Sequence, residues 1–345
     1  MTDSSAGDRY SRQTLFEGIG VEGQERLGRA SAVVVGCGAL GSVSASILVR
    51  AGVGRVRIID RDVVEESNLQ RQLLFTEEDV RSLIPKAVAA AAHLHAANAT
   101  VAIEPVVADL NPDNAVELLK GFDVIIDGTD NFETRFLVND VSVRHDIPWI
   151  YAACLGAYGV CMSILPGSTA CLRCLMDTPP PPGSVATCDT AGVIAPIVAL
   201  VASVQTAEAL KLLAGRSEEM ADGLFSVDLW TRTVQTVDVP KGGGRRRCAA
   251  CDGLEFEYLT GRGTRPAVLC GRNAVQVMPA SRERIDLEAL EARLRPSGHV
   301  ERSEFLLKFS ADGCSMMIFP DGRAIIAGTT DAAAARGIYA RYVGA

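Results

Sequence analysis

Two apolar patterns alternate through the first 150 residues. Short runs rich in Val and Ile, at 32–35, 55–59, 101–107, 122–127 and 149–152, predict strands. Between them, longer stretches at 20–30, 40–51, 85–97 and 132–145 carry helical periodicity. Pro85 is expected in the first turn of its helix. Asn111 reads as a cap, with Pro112 opening a helix that runs to Lys120. Strand and helix in alternation imply an α/β fold, a doubly wound, mostly parallel, Rossmann-like sheet.

Beyond residue 157 the texture changes. A strand is expected at 159–165, then a stiff Pro-rich stretch at 179–182 and a long apolar helix at 191–213, kinked near Pro196. Residues 224–229 and 233–239 read as a hairpin, followed by a Gly/Arg linker at 241–247. From residue 254 the pattern is that of a small α+β module. It has helices at 287–294 and 331–342, strands at 305–309, 315–319 and 324–327, and a turn at Pro320-Asp321-Gly322. The expected division is therefore a large domain, 1–253, and a small one, 254–345.

Composition narrows the class. The chain has 345 residues, 48% of them hydrophobic and 22% charged, with net charge −8, an ordinary globular balance. The acidity argues against a nucleic-acid partner, and Arg245 to Arg247 read as a solvated loop. The first eight residues lack the apolar core of a signal peptide. The most apolar run, 193–204, is too short for a bilayer and leads into Gln205 and Glu208, so it reads as a buried helix with no membrane role. Ten cysteines without an export signal read as thiols and metal ligands of a cytoplasmic protein.

Three groups of residues carry chemistry. Gly36, Gly38 and Gly41 follow a strand and open a helix, and Asp60 ends the next strand. This pattern places phosphates at a helix N-terminus and a carboxylate at ribose hydroxyls, as in NAD, FAD and some ATP sites. No Gly-x-x-x-x-Gly-Lys-Ser/Thr loop is present. Asn68, Arg71, Gln72 and Lys86 follow closely, and two cations with two amides suit a triphosphate better than a dinucleotide. Asp130 lies just past a parallel strand, where a crevice places a Mg²⁺ ligand.

The third group is Cys171-x-x-Cys174 with Cys248-x-x-Cys251, the ligand set of a closed, structural Zn²⁺ site. Paired local disulfides and a redox function are the lesser alternatives. Cys188 stands apart, in a loop before a helix expected near Ala191, where a thiol is accessible and its pKa is lowered. Cys154 and Cys161 read as core.

With these motifs in order, the chain resembles the ThiF/MoeB family of adenylyltransferases, relatives of the ubiquitin-activating enzymes. The matching segments are Arg9-Tyr10-Ser11-Arg12-Gln13, the glycine loop, Asp60-Arg61-Asp62, Ser67 to Gln72, Lys86, Thr129-Asp130-Asn131, both cysteine pairs and Thr187 to Val193. The resemblance implies that ATP activates the C-terminal glycine of a small ubiquitin-like sulfur carrier ending in Gly-Gly, releasing pyrophosphate. It serves molybdopterin, thiamine or tRNA-thiolation sulfur transfer, with a sulfurtransferase or cysteine desulfurase as further partner.

By the same resemblance Asp60 and Asp62 belong to the nucleotide site. Asn68, Arg71, Gln72 and Lys86 hold phosphates, and Asp130 holds Mg²⁺. Arg12 reaches the ATP of the other subunit of a homodimer, and Cys188 is the position that in some members bonds covalently to the carrier. The module after 254 has no rhodanese loop and is expected to dock a partner or to support the dimer. Two other readings are weaker. An NAD-dependent oxidoreductase leaves Arg71, Lys86 and the cysteine quartet without a task. An inactive scaffold binding a ubiquitin-like partner does not account for so complete a polar set.

Overall fold

Val and Ile dominate the central strands because a parallel sheet is covered on both faces. In the computed structural model, the segments β1 (Ser31–Val35) and β4 (Val124–Asp127) are buried almost throughout. The structure describes residues 9–181, 184, 188–244, 247–262, 268–269, 274–277, 284–311 and 313–344. The described residues within Met1–Glu77, Pro85–Pro180 and Ala191–Thr264 form one compact unit. Those within Glu78–Ile84, Pro181–Thr190 and Arg265–Ala345 form a second.

The first unit is built on a sheet of eight strands in the order β3-β2-β1-β4-β5-β6-β7-β8. The remaining strands are β2 (Arg55–Ile59), β3 (Ala102–Val106), β5 (Trp149–Leu155), β6 (Tyr158–Ile164), β7 (Leu224–Asp228) and β8 (Thr233–Val237). Strands β3 to β5 pair in parallel and β5 to β8 antiparallel. The chain reverses its direction of travel across the sheet between β1 and β4. A doubly wound sheet opens its ligand crevice at that switch, beyond the carboxyl ends of the strands.

Six helices dress this sheet: α1 (Gly20–Leu27), α2 (Ala39–Ala51), α3 (Lys86–Ala97), α4 (Ala115–Leu119), α5 (Phe132–His145) and α6 (Ala195–Leu213), besides one-turn helices among the described residues. Helix α2 ends at Gly52, left-handed at φ 84°. Asn131 caps α5 by accepting from Thr134 N–H.

Four local expectations are corrected. Pro85 is the extended N-cap of α3 and not its first helical residue. Asn111 and Pro112 lie in a turn, the Asn111 side chain accepting from Asp113 N–H, so α4 starts only at Ala115. Pro196 kinks nothing, because it sits in the first turn of α6, where its missing N–H costs no bond. The helix expected to begin near Ala191 is instead a separate turn, Cys188–Ala191, ended by the left-handed Gly192.

Helix α6 is long and apolar enough to cross a membrane by length and composition. It packs on α2, β5 and β6, with Ile197, Val201, Ala202 and Ala209 buried along one side.

The second unit holds an antiparallel sheet in the order β11-β12-β13-β14-β10-β9. Its strands are β9 (Val268–Leu269), β10 (Ala274–Val277), β11 (His299–Arg302), β12 (Leu307–Ala311), β13 (Cys314–Ile318) and β14 (Ala324–Ala327). Helices α7 (Leu287–Leu294) and α8 (Ala332–Tyr342) pack on it through Leu290, Leu294, Phe309, Ile326 and Tyr339. Strand β12 starts two residues later than expected because Ser303 Oγ accepts from the N–H groups of Phe305 and Leu306, folding them into a turn. Residues 254–262 pack with the first unit. Tyr258 packs tilted against Phe136 of α5, ring centroids 4.8 Å apart, and Asp140 accepts from the N–H groups of Tyr258 and Leu259.

Candidate functional site

Strands β1 and β4 end side by side in glycine. Gly36 is left-handed at φ 84°, a conformation that disfavours any side chain. A Cβ there would stand 2.6 Å from the Gly128 carbonyl oxygen, and one on Gly41 would overlap the Gly36 carbonyl. Gly36, Gly41 and Gly128 therefore form one backbone-to-backbone junction at the switch point. Gly38 is the N-cap of α2 and offers no capping side chain, which leaves the first N–H groups of that helix for an anion.

The β2 exit supplies charges. Asp60 accepts from Cys37 N–H at 2.6 Å and from Asp62 N–H at 2.7 Å, which locks the glycine loop to the acid. Burial pushes its carboxyl up, and the Lys86 ammonium opposes that shift. Lys86 is 2% exposed and sits at the first turn of α3, where the helix dipole disfavours a cation. Its Nζ lies 3.4 Å from Asp62 Oδ2. An ammonium so placed is well suited to a second anion. Arg61 pairs with Asp109 at 2.7 Å and also feels the charge of Asp130.

The polar cluster folds over the loop. Asn68 is spent locally, accepting from Glu65 N–H and donating to Ser67 Oγ. Arg71 Nη1 donates to Ser67 O at 2.8 Å. Gln72 is buried, and its Nε2 would be 3.8 Å from a Cβ on Gly38. Gln72 Oε1 has no hydrogen-bond partner among the described residues. A cradle without a side chain, beside the Gln72 amide N–H donors and a buried ammonium, fits a polyphosphate.

Beyond β4, the Asp127 carboxylate accepts from Thr129 N–H and Oγ1. Burial pushes Asp127 up, and the Arg135 guanidinium 3.4 Å away opposes it. Arg135 Nη2 donates to the carbonyls of Thr129 and Ala152. These contacts hold the loop on which Asp130 is presented, exposed, with Asn131 Nδ2 as its neighbour at 3.3 Å.

The structure thus brings the glycine loop, Asp60, Asp62 and Lys86 together, with Gln72 over Gly38. Arg12 is exposed on the turn Ser11–Thr14 and enters none of these bonds. Its neighbours are structural: Tyr10 OH accepts from Asn98, and Gln13 donates to Ala51 O. Cys188 opens its one-turn helix in the second unit, and its side chain lies outside the described residues. Arg61, Gly128, Arg135 and Gln205 escape a reading by sequence spacing. The available signals are a glycine directly after a buried strand for Gly128 and a polar residue in an apolar helix for Gln205.

The four cysteines converge. Sγ–Sγ distances are 3.9 Å for Cys171–Cys174, 3.7 Å for Cys171–Cys248 and 3.4 Å for Cys174–Cys251, and all four lie within 4.8 Å of one another. A tetrahedral ion with bonds of about 2.3 Å requires sulfurs about 3.8 Å apart, so the quartet fits zinc. Hydrogen bonds from Cys171 and Cys251, and from Gly242 N–H, pull the Cys174 thiol well below its usual range. Helix α5 fastens both halves, since Asn139 Oδ1 accepts from Leu172 N–H while Asp140 holds residues 258 and 259.

The profile of the ThiF family matches residues 10–248. Over 338 residues the chain is 47% identical to the sulfur carrier protein ThiS adenylyltransferase of Bacillus subtilis, covering 97% of this chain and 99% of that one. It is 42% identical to a sulfur carrier protein adenylyltransferase of Thermus thermophilus, covering 71% and 90%. Among solved structures, E. coli MccB with ATP has a TM-score of 0.62 at 23% identity over 71% of this chain and 74% of that one, a likeness of fold.

Proposed function

The chain belongs to the ThiF family, and from that premise we propose that it adenylates the C-terminal glycine of a ubiquitin-like sulfur carrier with ATP. The observation that carries this reading is the buried Lys86 ammonium, held at 3.4 Å from Asp62 beside an uncapped helix N-terminus. One relative that matches over nearly the whole chain, C-terminal module included, is named for ThiS, which favours a ThiS-like carrier and thiazole sulfur transfer.

In the proposed step, a carboxylate oxygen of the carrier attacks the α-phosphorus of ATP. The bond from that phosphorus to the bridging oxygen breaks, and the electron pair leaves with pyrophosphate. The α2 N-terminus and Lys86 neutralise the charge that builds on the phosphates. Arg71 adds a flexible cation, and Gln72 orients the chain by hydrogen bonding. Asp60, already fixed by two backbone N–H groups, sets the ribose position. Asp130 is assigned to Mg²⁺, which would supply further charge neutralisation. The cysteine quartet is read as a zinc site that ties residues 171–174 to 248–251. Arg12, exposed, is assigned to the nucleotide of a second subunit. Cys188 is assigned to the following step, in which its thiolate attacks the adenylate carbonyl and AMP leaves.

Exchange of labelled pyrophosphate into ATP tests the first step. Exchange is expected only with a carrier ending in Gly-Gly, and not in Asp130→Ala. An enzyme that binds ATP yet exchanges with no carrier would remove the protein-carboxylate reading.

A further inference from the structure

We propose that Gln205 is a positioning residue of the nucleotide site, fixing the helix that receives the phosphates against the strand exit that leads to Asp130. The proposal rests on the ATP reading above and concerns a residue outside the predicted site.

Gln205 sits in mid α6 with Val198, Val201, Ala202 and Ala209 as its buried neighbours on that helix. Its side chain is fully buried. A primary amide in such surroundings is retained only if its donors and acceptor are satisfied. They are. Nε2 donates to Asp127 O at 2.9 Å and to Ile150 O at 2.8 Å, and Oε1 accepts from Ser44 Oγ at 2.8 Å.

The partners explain the role. Pairing between β4 and β5 runs Ile125 with Trp149 and Ile126 with Ile150, and goes no further. The strands part there, and the carbonyls of Asp127 and Ile150 turn to the Gln205 amide. One step on, Arg135 spans Thr129 O and Ala152 O in the same way. It does so from the α5 side, whose core includes Val33, Val35 and Phe136. Val34, which points the other way along β1, meets Gly41 of α2. So α2 and α5 cover opposite faces, and α6 packs on α2. The splayed strand ends are held from both faces by side-chain donors.

Gln205 also holds α2. Ser44 lies in the second turn of the helix that Gly38 opens, and Asp127 directly precedes Gly128. The same carboxamide therefore links the anion-receiving end of α2 to the loop of Asp130. The contact of Gly128 with Gly36 and Gly41 leaves no slack between these two parts, so a shift of α2 displaces the Asp130 loop with it.

The test compares Gln205→Met, which keeps length and removes the polar atoms, with Val201→Ala, one turn away on the same buried side. Each full-length variant is measured for Tm, for ATP affinity without carrier, and for kcat and KM for ATP in pyrophosphate exchange. Both variants are expected to lower Tm. Only Gln205→Met is expected to raise KM for ATP and lower kcat, with a combined loss on the order of a hundredfold, as a misplacement of about 1 Å can produce. Gln205→Glu, whose carboxylate faces two carbonyl oxygens, is expected to be worse than Met.

If Gln205→Met shows the KM and per-site kcat of Val201→Ala, Gln205 is only a core residue and the proposal fails. Should Gln205→Met not fold, Ser44→Ala removes one of the three bonds. A KM for ATP several-fold higher at near wild-type Tm supports the proposal, and an unchanged KM overturns it. Wild-type protein that binds ATP but exchanges with no carrier counts against the adenylation reading alone. The ATP affinities of the variants still decide Gln205.

Discussion

Alanine at Gly128 isolates the crevice geometry from backbone strain. Gly128 does not occupy the left-handed region, so alanine is conformationally acceptable there and any effect comes from the added methyl. That methyl would overlap the Gly36 carbonyl oxygen and stand 2.8 Å from Gly41 Cα and 3.0 Å from Gly41 N. All three are backbone atoms and none can rotate aside. Carbon atoms rest comfortably at about 3.5–4.0 Å, so the glycine loop and the β4 exit must separate by roughly 0.7 Å or more. Overpacking of this kind costs about 1–3 kcal/mol. For a unit of this size that lowers Tm by roughly 2–12 °C.

The same displacement moves the α2 N-terminus relative to Asp130, so ATP affinity and exchange should fall by an order of magnitude or more, about what a 1 Å misplacement does. Calorimetric Tm, ATP titration and pyrophosphate exchange are the assays. Gly337→Ala is the matching control. Gly337 lies inside α8 with nothing within 4 Å of its built Cβ, so alanine there should stabilise by about 0.5–1 kcal/mol and leave exchange untouched. A Gly128→Ala enzyme with wild-type Tm and ATP affinity would refute the tight junction at the switch point.

Two further outcomes are expected. Asp140 is fully buried and its carboxyl is raised from 3.8 to about 6, by desolvation against the opposing N–H groups of Leu259 and Tyr258. The folded state thus holds this proton more tightly than the unfolded chain. Its contribution is complete below pH 3.8 and is lost as pH rises through about 6, on the order of 2–3 kcal/mol. Urea midpoints at about pH 4.5 and about pH 7, on either side of that loss, should differ less in Asp140→Asn than in the wild type, and an equal difference would remove Asp140 from the account. Zinc stripped by a chelator should lower Tm and speed exchange of the Tyr258 and Leu259 amides, which α5 holds beside the quartet. Unchanged protection after complete metal loss would separate the quartet from that segment.

The parts of the site that lie close together in the chain were legible. Gly36, Gly38 and Gly41 fall within six residues, and each cysteine pair spans four, so spacing alone carried the chemistry. Strand and helix order in the first unit followed from pattern for the same reason, whereas β9, β10 and β11 of the second unit were not expected. Expected bounds slipped where local hydrogen bonds competed with the helix or strand, as at Asn111 and Ser303. The start of the helix expected near Ala191 was misplaced because Gly192 separates the turn Cys188–Ala191 from α6.

What stayed hidden were side chains whose partners come from across the sheet. Ser44 and Gln205 are 161 positions apart, and Gln205 and Asp127 are 78 apart. Gln205 was visible as a polar residue in an apolar helix, but that observation spoke only against a membrane. The physical rule is stronger. On a helix packed against a sheet, a polar side chain on the buried side must find its partners on the element it faces. Glu208 obeys it too: Oε2 accepts from Ala221 N–H at 2.8 Å, while Oε1 binds Lys211. So do Asn139 and Asp140 on α5, which reach Leu172 and residues 258–259. Such residues mark where the chain is tied to itself, and sequence names one end of each tie only. In this fold two of the ties, through Gln205 and Arg135, meet at the divergence of β4 and β5, the place from which Asp130 is presented.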